Sequence, residues 1–181
     1  MAVYVIRDGL ESDVDTCLAL DHSYQTERVW QMSMRSDLDQ YEISFKTERL
    51  PRLLQGVHPV SEHRIRLCVP EDQCFLVAAE RDGQDVLAYL TMRYEPMQRV
   101  AWVQDLVVDT SARRQGLGSR LLNIARGWAN EHAVRRLLVE VRTQNFPMIS
   151  FCAANGLLYC GYNDRYLENQ DIAVFFGESL A

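Results

Sequence analysis

The sequence predicts a mixed α/β fold of the α+β kind, built around one central twisted sheet. Three observations carry that expectation. Cys74 to Ala79, Val86 to Met92 and Val100 to Val108 are apolar runs of strand length, and turn residues separate them, which is the pattern of an antiparallel meander. Gly116 to His132 repeats its apolar residues at helical spacing. Arg136 to Val141 follows as another strand, and a second helix signal stands at Asn145.

Taken in order, Tyr4 to Ile6 reads as a short strand ending at Asp8-Gly9. Ser12 and Asp13 are N-cap candidates for a helix carrying Val14, Cys17, Leu18 and Asp21. Between His22 and Pro70 the pattern is mixed, with Pro51, Pro59 and Pro70 interrupting any long element. Tyr41, Ile43 and Phe45 alternate with polar residues and fit an exposed strand. Tyr24, Trp30, Met32 and Met34 either line a substrate pocket or pack one or two helices. Asp82-Gly83 reads as the turn of the first hairpin, and Glu95-Pro96 ends its second strand.

In the helix from Gly116 to His132, the buried stripe is expected from Leu117, Leu121, Leu122, Ile124, Ala125 and Trp128. The unbroken apolar run Leu137-Leu138-Val139 suits a strand covered on both faces. Asn145 caps the next helix, Pro147 sits in its first turn where a missing N–H costs little, and Asn155-Gly156 ends it. The last strands are Leu157 to Tyr162 and Ile172 to Phe176, joined by a polar turn through Asn163-Asp164-Arg165.

A chain of 181 residues, 48% hydrophobic and 24% charged, is sized for one core, so residues 1–181 are expected to form one domain. The formal charge of −6 leaves no excess of Lys and Arg to neutralise phosphates, which argues against a nucleic-acid partner and suits a cationic one. Five cysteines without Cys-x-x-Cys spacing or an adjacent His point to no metal and to reduced thiols in a cytoplasm. The apolar run at the N-terminus is too short for a signal peptide or membrane span.

The chemistry-bearing stretch runs from Val100 to Leu122: an apolar strand, then Arg113-Arg114-Gln115-Gly116-Leu117-Gly118, then a helix. Gly116 and Gly118 remove Cβ atoms where backbone must approach a phosphate group, and the helix directs its first N–H groups at that anion. Arg113 and Arg114 add positive charge. The dinucleotide motif is the weaker match, because Gly116-Leu117-Gly118-Ser119-Arg120-Leu121 lacks its third glycine.

In this context Arg113-x-x-Gly116-x-Gly118 resembles the Gln/Arg-x-x-Gly-x-Gly/Ala coenzyme loop of the GCN5-related N-acetyltransferases (GNAT). Gln104 to Asp109 resembles the strand that precedes the loop in that family, and Asn145 to Gly156 resembles its Asn-x-x-Ala-x-x-x-Tyr-x-x-x-Gly helix. Cys160-Gly161-Tyr162 to Ala173-Val174-Phe175-Phe176 is similar, less specifically, to the streptothricin-acetyltransferase-like branch.

The resemblance implies a mainly antiparallel sheet of six or seven strands flanked by about four helices, and acetyl transfer from acetyl-coenzyme A to a primary amine of a small molecule or peptide. It implies that Leu106, Val107 and Val108 meet the pantetheine arm, that Arg113, Arg114, Gln115, Gly116, Leu117, Gly118 and Ser119 hold the pyrophosphate, and that Asn145 contacts the arm. It implies that the two strands splay there and admit the arm, and that the thioester lies near Asp105 and Glu140. Many relatives pair through their final strands, which makes a homodimer one expected assembly.

The acceptor chemistry requires a base, since a lysine-like ammonium with a pKa near 10.4 carries a free lone pair in only roughly one molecule in two thousand at pH 7. Glu140, in Glu140-Val141-Arg142, resembles the base segment of some N-terminal peptide acetyltransferases, and Asp105 resembles the Asp of polyamine-acetylating relatives. Cys152 occupies the position where the family helix has its acidic Tyr, which leaves Cys152 or a nearby tyrosine such as Tyr159 to protonate the thiolate. Tyr24, Trp30 and Tyr41 are the expected acceptor-side residues. Two other readings follow from the same residues: a non-catalytic acyl-coenzyme A-binding regulatory module, motivated by Cys152, and a partner-binding protein using the aromatic segment from Tyr24 to Phe45, which leaves the glycine loop unused.

Overall fold

The structure, a computed structural model, describes residues 4–80, 85–165, 167 and 171–180. Among the described residues, nine strands and four α-helices follow one another as β1 (Tyr4–Asp8), α1 (Val14–Ala19), β2 (Ser23–Asp37), β3 (Gln40–Val57), α2 (Glu62–Arg66), β4 (Cys74–Glu80), β5 (Val86–Glu95), β6 (Val100–Val108), α3 (Leu117–Glu131), β7 (Arg136–Arg142), α4 (Phe146–Ala154), β8 (Leu158–Asn163) and β9 (Ala173–Ser179). Seven strands join in the order β1-β4-β5-β6-β7-β9-β8, while β2 and β3 form a separate ribbon. The pairs β1/β4, β4/β5 and β5/β6 are antiparallel and β6/β7 is parallel, so the expected mainly antiparallel sheet is present. The hairpin turn expected at Asp82-Gly83 lies outside the described residues.

The chain divides into two compact units, residues 1–22, 58–140 and 177–181 in the first and residues 23–57 and 141–176 in the second. In the first unit the meander β4-β5-β6 forms the middle of the sheet. Its core brings Val14 and Cys17 of α1 and Ile65 of α2 against Phe75, Val77, Tyr89 and Val107. The buried stripe of α3 is Leu117, Leu121, Leu122, Ala125 and Ala129, packed against β4, β5 and β6. Ile124, expected in that stripe, is exposed, because the stripe centres on Leu121, Leu122 and Ala125 and residue 124 falls at its edge. At the N-terminus, Asp13 does not cap α1 through its side chain; its carboxylate instead accepts from Leu10 N–H and from both Arg7 Nη atoms at 2.6 and 2.8 Å. β7 alternates buried and partly exposed residues rather than being covered on both faces.

The second unit holds the long ribbon β2/β3, α4 and the last strands. Trp30, Met32 and Met34 lie on β2, a strand and not the helix that their packing allowed. Pro51, which read as an interruption, is inside β3, and the ribbon absorbs it. Thr26 pairs with Leu54 and Arg28 with Arg49, so residues 50–53 bulge opposite Glu27 and the proline needs no ladder N–H. Tyr24 lies across Gly56, where a Cβ would stand 2.3 Å from the ring. Asn145 caps α4 as expected, its Oδ1 accepting from Met148 N–H at 3.1 Å.

Candidate active site

Strand β6 is paired with β7 only from Val100↔Arg136 to Val103↔Val139, yet β6 continues to Val108 and β7 to Arg142. The ladder therefore ends at Val103 and Val139, and the β7-facing polar groups of β6 beyond that point lack this strand as a partner. On its other side β6 stays paired with β5, and the irregularity in register falls between Met92↔Val103 and Thr91↔Asp105, leaving Gln104 as the extra residue. Leu106, Val107 and Val108 lie on the stretch of β6 past its pairing with β7, and Glu140 follows Val139, the last residue of β7 paired with β6.

A short 3-10 turn, Thr110–Ala112, carries the chain from β6 to the loop, with Asp109 accepting from Ser111 N–H at 2.9 Å. Arg114 takes φ 62° and Gly116 φ 81°, two left-handed residues that turn the chain sharply into α3. Gly116 is the N-cap and offers no side-chain acceptor, so the opening N–H groups of α3, through Gly118 and Ser119, are left for an external anion. The Arg113 side chain braces the loop from inside: Nε donates to Val108 O and Nη2 to Asp21 O, both at 2.8 Å. Gln115 Nε2 similarly donates to Ser111 O at 3.1 Å. These residues fit an acyl-coenzyme A: the released strand edge matches an extended amide-bearing arm, and the uncapped helix start matches a pyrophosphate.

On the α1–α2 side of the same unit lies a polar cluster that the sequence did not announce. The Asp105 side chain is fully buried. Its Oδ2 accepts from Thr91 Oγ1 at 2.6 Å, and its Oδ1 receives His58 Nε2 at 2.7 Å together with Arg64 Nη2. Burial by itself would raise the Asp105 pKa, but the His58 hydrogen bond and the Arg64 charge, with Thr91 behind them, outweigh burial and hold the carboxyl below its ordinary range. The His58 backbone N–H donates to His22 O at 2.9 Å, and His22 Nε2 lies 3.1 Å from Tyr89 Oη. Burial pushes the Tyr89 hydroxyl well above its usual range and His22 below its own.

A family model described as the acetyltransferase (GNAT) family matches residues 30–157. The chain belongs to the GNAT acetyltransferases. Solved structures agree on the fold of this GNAT enzyme. Nourseothricin acetyltransferase is 23% identical with a TM-score of 0.83, 99% of each chain being covered. A candidate streptothricin acetyltransferase of Bacillus anthracis strain Ames, in complex with acetyl coenzyme A, is 18% identical with a TM-score of 0.77 over 99% of each chain. The ribosomal-protein-S18-alanine N-acetyltransferase of Escherichia coli is 15% identical with a TM-score of 0.67, covering 99% of this chain and 95% of its own. No curated protein matches the sequence.

The expected site residues of this GNAT enzyme are shared between the units. The first contains Asp105, Leu106, Val107, Val108, Arg113 to Ser119 and Glu140; the second contains Tyr24, Trp30, Tyr41, Asn145, Cys152 and Tyr159. Cys152 is fully buried, and burial pushes its thiol up to about 12. Tyr159 is 43% exposed, with its hydroxyl raised by partial burial. Its ring and those of Trp30, Phe45 and Phe176 form a cluster with centroids 5.5 to 6.3 Å apart. Tyr41 is 75% exposed near the tip of the ribbon, and Tyr24 is half-buried. His58 and Arg64 were missed because an isolated His and a helical Arg carry no periodic or motif signal. Only the proline-flanked His58-Pro59 marked the spot, as a loop.

Proposed function

We propose that residues 1–181 act as one acyltransferase domain that transfers an acetyl group from acetyl-coenzyme A to a primary amine of a small molecule or peptide, by direct attack with base assistance. The observation that carries the reading is the early end of the β6/β7 ladder, followed along the chain by the uncapped glycine start of α3. In this proposal Leu106 to Val108 align the pantetheine arm by backbone hydrogen bonds and Arg114 to Ser119 hold the pyrophosphate. Arg113 shapes the loop through its bonds to Val108 and Asp21, its interaction with the coenzyme being through backbone and charge. Asn145 stays the proposed contact to the arm, with its amide oxygen already engaged as a cap. Bound acetyl-coenzyme A supplies the activated acyl group; this chain supplies alignment and proton transfer.

Asp105 is proposed as an orienting anion rather than as the base, since both of its oxygens are occupied and its carboxyl is held ionised. Glu140, on β7 just past Val139, where the pairing with β6 ends, is the carboxylate proposed to attract the acceptor ammonium. Cys152 is fully buried with its thiol pushed up to about 12, so the part-exposed Tyr159 is the proposed proton source for the departing thiolate. Tyr24, Trp30 and Tyr41 are proposed to face the acceptor. The acidic net charge of −6 favours a cationic one. A cytoplasmic setting and a homodimer complete the reading, the latter checked by light scattering on a sizing column.

The test is coenzyme A release from acetyl-coenzyme A with nourseothricin, spermidine, L-lysinamide and alanine-initiated peptides as acceptors. Turnover with one amine class supports the proposal and names the acceptor. Binding of acetyl-coenzyme A with silence across all four supports the non-catalytic regulatory module instead.

A further inference from the structure

Resting on the acetyltransferase reading, we infer that His58, oriented by Asp105, is the catalytic base that takes the proton from the acceptor amine. Asp105 is ionised and can only accept, so the His58 nitrogen 2.7 Å from its Oδ1 carries the hydrogen. In the neutral imidazole that leaves the lone pair on Nδ1, to which no protein donor is bonded among the described residues. Arg64 Nη2 lies 3.3 Å from the same Nε2, and the two are donors converging on one carboxylate oxygen rather than partners of each other.

Three features separate this arrangement from an ordinary buried ion pair. Arg64 alone balances the charge of Asp105, so His58 is not required as a counter-ion. The carboxylate itself is fully buried while the His58 side chain is 27% exposed, so the ring forms the accessible end of the relay. The backbone that carries the ring is also anchored, by the bond from His58 N–H to His22 O and by Pro59, whose carbonyl accepts from Arg64. A histidine with one nitrogen tied to a buried carboxylate and the other open is the arrangement that fixes tautomer and direction for proton transfer.

Position agrees with chemistry. Asp105 is on the part of β6 that β7 has left, next to the extra residue Gln104, where the thioester is expected. His58 thus extends the reach of β6 on the α1–α2 side. The groups facing it are Asp105 of β6, Arg64 of α2, and His22 with its partner Tyr89 of β5.

In the step itself, R–NH3+ gives one proton to His58 Nδ1, and the freed lone pair forms the N–C bond to the acetyl carbon as the C–S bond breaks. One of the two protons left on nitrogen passes to the thiolate by way of Tyr159, which gives its hydroxyl proton to sulfur and takes that one in exchange. The products are the acetamide, coenzyme A as its thiol, and an imidazolium that returns its proton to solvent.

The experiment compares wild type, H58Q, H58A and E140Q in coenzyme A release with nourseothricin, spermidine and L-lysinamide across pH, folding being checked by circular dichroism. H58Q should lower kcat by about 10²- to 10⁴-fold and leave KM for acetyl-coenzyme A within about threefold, the same order as no change in coenzyme contacts. The one-proton acid limb of kcat should disappear in H58Q and persist in E140Q, and imidazole should restore part of the rate of H58A. Retention of kcat in H58Q, or loss of the acid limb in E140Q alone, overturns the proposal. Absence of turnover in the wild type overturns the acetyltransferase reading separately, and 15N NMR of labelled histidine then decides for His58. A hydrogen on Nε2 supports the orientation, and one on Nδ1 rejects it.

Discussion

Replacing Asp105 by Asn removes one charge and little volume from the centre of the first unit. Asp105 holds three donors, the Thr91 hydroxyl at 2.6 Å, His58 Nε2 at 2.7 Å and Arg64 Nη2. Breaking a fully buried pair costs about 3–5 kcal/mol because the surviving charge is stranded. Here the survivors are partly wet, with Arg64 28% and His58 27% exposed, so solvent screens part of that loss. Arg64 Nε is nonetheless buried without a hydrogen-bond partner, so its guanidinium depends on the Asp105 charge for compensation. About 2–4 kcal/mol at pH 7 is the expected loss, or roughly 4–16 °C in Tm for a chain of this size. Urea unfolding followed by tryptophan fluorescence measures it.

The pH dependence provides the sharper check. The folded-state pKa of Asp105 is depressed, so its stabilisation is fully present above the ordinary Asp value near 4 and is lost as pH falls through the depressed one. The stability gap between wild type and D105N should therefore close progressively below about pH 4. The double variant D105N/R64M should be less destabilised than the sum of the singles, with a coupling of about 0.5–3 kcal/mol. A loss under about 1 kcal/mol, or a gap that does not close in acid, refutes the reasoning that a stranded cation sets the cost.

Other perturbations address other parts of the molecule. Ser119→Glu places a carboxylate in the first turn of α3, which should leave the ligand-free stability unchanged or raise it by about 0.3–1 kcal/mol. The same charge near a pyrophosphate costs about 1–3 kcal/mol, so acetyl-coenzyme A should bind at least roughly tenfold more weakly; equal thermal stabilisation of variant and wild type rules out the loop as the phosphate site. With a thiol reagent at pH 8, the exposed Cys160 should react at once, while Cys17, Cys68, Cys74 and Cys152, each buried and pushed up to about 12, should react only on unfolding. Labelling of native Cys152 contradicts its buried role. Trp30→Ala should cost roughly 2–4 kcal/mol, since it removes the ring shared by Phe45, Tyr159 and Phe176; a near-neutral effect on stability with a large rise in acceptor KM assigns Trp30 to recognition rather than packing.

The meander, α3, the Asn145 cap and the glycine turn into α3 were legible because each is encoded within about twenty consecutive residues, by period, cap or glycine. Val100 to Val108 matched the strand residue for residue. The ribbon β2/β3 was not legible, since its two faces are largely solvated and its period is weak, and because a bulge hides the cost of Pro51. Ile124 shows the finer limit, in that helical periodicity places a stripe only to within one flank.

Contiguous chain specifies a strand, two left-handed residues at Arg114 and Gly116, and a helix start without a cap, the proposed coenzyme half of the site. A local backbone path needs only local residues to specify it. The polar cluster around Asp105 comes only from long-range packing. Asp105 meets Thr91 across one strand pairing, but His58 is 47 positions away and Arg64 is 41. Side chains so distant in sequence share no period or spacing. They converge because packing of Ile65 and Cys68 against Tyr89 and Val107 seats α2 over the sheet, and a carboxylate buried there must find donors.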